Sequence, residues 1–114
     1  MNAKPLVTIH NSNDLAQVLE HSASLLILVC KTNYETFHEQ LEIIREVGHV
    51  FHQTLKVGLV AEEFAASFCG RYDVKGTPTF LFFMGGVEQD RILGFMDRES
   101  LIARVNMTME SCKA

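Results

Sequence analysis

The sequence predicts a single α/β domain of element order βαβαβαββα, with a central mixed sheet flanked by helices. Three observations carry this expectation. Leu25-Leu26-Ile27-Leu28-Val29-Cys30 is apolar at every position, an amphipathic stretch from Tyr34 to Val47 follows it, and two strand-like segments, Thr79 to Phe83 and Val87 to Leu93, are joined only by Met84-Gly85-Gly86. A strand that is apolar throughout is covered on both faces, as central strands of α/β sheets are. A glycine connection this short admits only an antiparallel pairing, whereas the helix-length stretches before it suit parallel crossovers.

Taken in order, Leu6-Val7-Thr8-Ile9-His10 is short and rich in β-branched residues and reads as the first strand. Asn11-Ser12-Asn13-Asp14 supplies side-chain oxygens able to cap a helix, in which Leu15, Val18 and Leu19 recur at helical spacing until Ser22-Ala23-Ser24. After the central run, Tyr34, Phe37, Leu41, Ile44 and Val47 lie three or four residues apart with Glu35, Glu39, Glu42 and Arg45 between them. Gly48 is expected to stop that helix, since glycine accepts the left-handed conformation that closes one. Leu55 to Val60 reads as the third strand and Glu62 to Gly70 as a helix with Phe64, Ala65 and Phe68 on one side. Beyond the hairpin, Asp97 is placed to cap a last helix through Leu101, Ile102, Val105 and Met109. One domain over 1–114 is expected, with its core at about 6–109 and a tail at 110–114. There is no internal repeat, low-complexity stretch or linker.

At 114 residues and 47% hydrophobic content, the chain suits one core that buries about two-thirds of its unfolded surface. Ten basic against fourteen acidic residues, with no basic block, argue against a nucleic-acid partner. The longest apolar runs fall far short of the roughly 20 residues a membrane helix needs, so no membrane association is expected. Met1-Asn2-Ala3-Lys4-Pro5 leads into an alternating segment and not an apolar signal core, so a cytoplasmic location is the expectation. Cys30, Cys69 and Cys112 are too widely spaced for a disulfide framework or a zinc site and read as reduced thiols. His49 and His52 stand at i, i+3, but no carboxylate or cysteine completes a tetrahedral set, so they read as surface histidines at a helix end. Neither a metal nor a cofactor is expected. Glu62-Glu63 reads as acidic charge at a helix N-terminus.

The sequence is most specific at Tyr72-Asp73-Val74-Lys75-Gly76-Thr77-Pro78-Thr79-Phe80-Leu81-Phe82-Phe83-Met84-Gly85-Gly86. Together with the element order, this tyrosine, spacer, proline turn, apolar strand and glycine hairpin resembles the thioredoxin family, over about Leu6 to Val105. The resemblance implies a cis peptide bond before Pro78. It also implies that Thr77 offers its backbone to an extended peptide, as a short β-augmentation, and that Gly94 lies beside the same groove. Read without the resemblance, Thr77-Pro78 simply begins a strand, where a missing amide does little harm.

The chain departs from the family in its chemistry. Aligned on the central strand, Tyr34-Glu35-Thr36-Phe37 occupies the place of the family's CxxC, and Leu28 the place of its buried acid. No shift of that alignment restores CxxC, because Cys30 and Cys69 stand 39 residues apart and Cys112 further still. An apolar Leu28 spares the cost of burying a carboxyl, so the two changes are consistent with each other.

A redox-inactive thioredoxin-like protein follows as the first reading. It binds a peptide or protein partner in a groove made by Tyr34, Phe37, Thr77, Pro78, Gly94 and Phe95, in the manner of chaperone-like or accessory members of the superfamily. Phe37 and Tyr34 also continue the apolar face of their helix, and on that reading Phe37 is core. An alternative is thiol chemistry through Cys30 alone, at the end of the central strand where the family usually has an aromatic residue. A cysteine at a strand end has no helix dipole to lower its pKa. A second alternative is a structural module that dimerises through the hairpin edge or an exposed apolar face.

Overall fold

The computed structural model describes residues 6–33 and 35–112. The described residues run β1 (Val7–Ile9), α1 (Ser12–Glu20), β2 (Ser24–Val29), α2 (Phe37–Val50), β3 (Lys56–Val60), α3 (Glu62–Tyr72), β4 (Thr79–Met84), β5 (Val87–Leu93) and α4 (Arg98–Ser111). The strands form one five-stranded sheet in the order β1-β3-β2-β4-β5. β1 and β2 flank β3 in parallel, while β4 pairs antiparallel with both β2 and β5, with an irregularity between Phe82 and Phe83.

The continuous apolar run of β2 is explained by the two cores it feeds. Leu26, Leu28 and Cys30 alternate to one face, where they pack with Phe37, Ile44 and Val47 of α2 and Leu101 and Val105 of α4. Leu25, Ile27 and Val29 alternate to the other, against Leu15 and Val18 of α1 and Phe64 and Phe68 of α3. β4 does the same, with Phe80 and Phe82 in the first layer and Leu81 and Phe83 in the second. The caps read from sequence are present: the Asn11 side chain accepts from the Asp14 N–H at 2.8 Å and that of Asp97 from the Ser100 N–H at 2.8 Å. The latter bond holds the Asp97 carboxyl below the usual carboxylate range.

Three boundaries differ from expectation. α2 begins at Phe37, three residues later than the periodicity suggests; Glu35 and Thr36 form a turn, and Tyr34 lies outside the described residues. Gly48 does not end α2 but lies within it, where a Cβ would meet Val57 Cγ2 at 2.8 Å and Cγ1 at 3.1 Å. Its lack of a side chain sets how closely α2 approaches β3. We therefore expect Gly48→Ala to destabilise by about 1–2 kcal/mol, crowding at Val57 outweighing the roughly 1 kcal/mol alanine gains over glycine inside a helix. An unchanged denaturation midpoint would show that α2 can move off the sheet without cost. The last helix also runs into the expected tail: α4 continues to Ser111, and the Cys112 thiol lies 3.6 Å from the side-chain oxygen of Gln89.

Two arginines lock β5 to its neighbours. Arg91 grips both Glu88 carboxylate oxygens, at 2.6 and 2.8 Å, and donates to the carbonyls of Tyr72 and Asp73 at the end of α3. Arg104 holds Asp90 through two bonds of 2.7 and 2.9 Å and so ties α4 to the sheet. No helix among the described residues is long and apolar enough to cross a membrane.

Candidate functional site

The Thr77–Pro78 peptide bond is cis and lies where β4 begins, beside the end of β2. Its neighbours hold it from both sides: the Thr79 hydroxyl donates to the Gly76 carbonyl at 2.6 Å, and the Gly94 N–H donates to the Pro78 carbonyl at 2.8 Å. Gly94 meets Pro78 with a φ of +112°, a conformation that favours glycine. Pro78 itself is buried. Among the described residues, neither the N–H nor the C=O of Thr77 has a hydrogen-bond partner.

Thr77 borders a cleft of about 490 Å³, whose walls include Cys30, Ala65, Ala66 and Cys69, with Lys31 and Glu62 at its polar rim. Small side chains leave this space open. Glu62 is held there by the Thr32 hydroxyl at 3.1 Å, while Glu63 pairs with His10 at 2.8 Å, which lowers the Glu63 carboxyl below its ordinary range. On either side of Gly94 in the chain stand two exposed apolar side chains, Leu93 at 67% and Phe95 at 55% exposure.

The segment carrying Phe95 is fixed by a residue whose role is hidden in the sequence. Gln40, 2% exposed and in the first turn of α2, donates from Nε2 to the Met96 carbonyl at 2.9 Å and accepts the Met96 N–H on Oε1 at 3.0 Å. Its amide thus stands in for a strand partner, and it anchors Gly94-Phe95-Met96 beside the proline loop. A polar residue inside an amphipathic helix carries no sequence signal of a backbone partner 56 positions away.

The residues singled out from sequence are therefore not all brought together. Thr77, Pro78, Gly94 and Phe95 come together around the cis bond. Phe37, expected to line the groove or the core, is 7% exposed and packs in the α2–α4 core layer, so the groove assignment is corrected. Tyr34 lies outside the described residues. Cys30 is 5% exposed, and burial pushes its thiol up, away from the thiolate; burial does the same at Cys69. The two cysteines border one cleft but pack into opposite core layers, Cys30 with α2 and α4, Cys69 with α1 and α3. Both are free thiols, and no group of three or more metal-ligating side chains occurs among the described residues.

A thioredoxin from Halobacterium salinarum, solved as a point variant, superposes on this chain with a TM-score of 0.82 over 95% of this chain and 94% of that one, at 15% identity. The chain has the thioredoxin fold. Thioredoxins from Malassezia sympodialis (TM-score 0.80, 15% identity, 95% of each chain) and Entamoeba histolytica (TM-score 0.77, 23% identity, 90% of this chain and 99% of that one) agree. No protein-family model matches the sequence, and no curated protein matches it. At these identities the thioredoxin likeness is one of backbone.

Proposed function

We propose that this chain is a thioredoxin-fold binding protein that holds an extended segment of a partner protein at the Thr77–Pro78 loop, without thiol exchange, as a chaperone or assembly accessory factor. The observation that carries the reading is the peptide group of Thr77, which has no hydrogen-bond partner among the described residues and lies at the mouth of an open cleft between neighbours held by hydrogen bonds. A peptide laid beside it gains main-chain hydrogen bonds there, and its alternate side chains meet the cleft on one side and Phe95 on the other. Chemistry at the same place has little support. The chain has no CxxC, an apolar Leu28 stands at the matching position of the acid, and Cys30 is held as a buried thiol.

The test is a selection of displayed linear peptides on the wild-type protein, followed by binding of the enriched peptides to Ala66→Arg, which fills the cleft, and to Phe95→Glu. Both positions are exposed, so both variants are expected to keep their unfolding midpoint. Binding is expected to weaken by about tenfold or more, the loss of roughly 1.4 kcal/mol. Peptides that bind both variants as they bind the wild type would sink the groove reading.

A further inference from the structure

At the opposite end of β2 from the proline loop, the turn between α1 and β2 meets the turn after α2 around a second cleft, of about 270 Å³. His21, Ser22, His52, Thr54 and Lys56 line it, and no carboxylate does. Its imidazoles are held alike: the His21 Nδ1 lies 2.9 Å from the Gln17 carbonyl oxygen, and the His52 Nδ1 lies 3.2 Å from that of His49. A carbonyl only accepts, so each Nδ1 carries a proton and donates it, leaving Nε2 as the nitrogen open to a ligand. Lys56 has no ion-pair partner among the described residues. The Ser22 hydroxyl is buried without a hydrogen-bond partner among them, an unmade bond of the kind folded proteins rarely leave.

We infer that this cleft binds a tetrahedral oxyanion, the phosphate or sulfate group of a small ligand. Lys56 supplies a fixed charge, and each imidazole, once protonated, donates from Nε2 while its Nδ1 proton stays on the backbone carbonyl. The other charged groups nearby border the adjoining clefts: Asp14 and Glu20 on α1, which oppose an anion, and Arg71 on α3, which favours one. Asp14 is already engaged by the His10 N–H at 3.0 Å. With carboxylates on one flank, anion binding is stronger when the imidazoles are cationic and both ring nitrogens donate.

The experiment is an NMR titration of the full chain with sodium sulfate at constant ionic strength, at about pH 6 and about pH 8. Sulfate keeps its charge over that range, so any pH dependence belongs to the protein. Saturable shifts at the amides of Ser22, Ala23, Gln53 and Thr54, tighter at the lower pH, are expected. Lys56→Gln should weaken sulfate by about tenfold or more, and His52→Gln, in an exposed turn, should flatten the pH dependence. A parallel titration with inorganic phosphate and with O-phosphoserine tells a free anion from one carried on a larger molecule, according to which binds more tightly. Shifts that are linear, that chloride reproduces, or that survive Lys56→Gln would overturn the inference. So would zinc saturating the same amides below the sulfate range in a manner that requires both imidazoles.

Discussion

Leu28→Asp is expected to destabilise the protein by about 3–5 kcal/mol at neutral pH, the cost of an uncompensated charge in a core. Leu28 is fully buried on the central strand, between Leu59 of β3 and Phe80 of β4, in the layer that also holds Cys30, Phe37 and Ile44. The side chains of the core cluster around it are apolar and offer a carboxylate no hydrogen bond. A carboxyl placed there is driven to remain protonated, so its folded pKa rises above the unfolded value of about 3.9. The destabilisation is therefore smallest below that value and grows as the pH rises from it toward the folded pKa, above which it is complete. Denaturant unfolding between about pH 4 and about pH 8 reads this slope directly, with Leu28→Asn as a control that loses packing but has no proton to titrate. Equal loss for both variants at every pH would mean that the site solvates a carboxylate without cost.

Gln40→Leu removes both hydrogen bonds to Met96 while keeping the side chain's bulk, and an expected loss of about 2–3 kcal/mol follows from leaving one donor and one acceptor unmet in a partly buried setting. Stability alone would not separate this from ordinary packing damage. The distinguishing result is local: hydrogen exchange at the Met96 amide accelerates, and the resonances of Gly94 and Phe95 shift. Peptide capture then weakens beyond what the fraction unfolded accounts for. A loss below about 1 kcal/mol with Met96 exchange unchanged would show that water or another backbone group replaces the amide.

The fold was legible because its signals are local and repeated. The all-apolar Leu25-to-Cys30 run needs cover on both faces, and Met84-Gly85-Gly86 closes the hairpin, with Gly85 and Gly86 both at positive φ. Boundaries failed where a long-range contact overrides local preference. Gly48 reads as a helix stop, yet its role is to let α2 approach Val57, a residue of another element. The Tyr34-to-Val47 periodicity is real, but periodicity marks a face and not a first turn, so the helix begins at Phe37. The candidate site was partly legible, since Thr77, Pro78 and Gly94 carry local backbone requirements. Gln40, Ala66 and the imidazole cleft carry none. Gln40 acts on a backbone far along the chain, Ala66 matters for the space it leaves, and His21 and His52 border one cleft only once α1 and α2 are packed on opposite faces of the sheet.

Binding without thiol chemistry is tested most directly by measuring the affinity of a selected peptide for the wild-type protein with and without an excess of a phosphine reductant. Equal dissociation constants in both conditions are the expected result, since main-chain and apolar contacts at Thr77, the cleft and Phe95 involve no sulfur exchange. Capture that the reductant abolishes would identify a mixed disulfide through one of the cysteines and contradict the account.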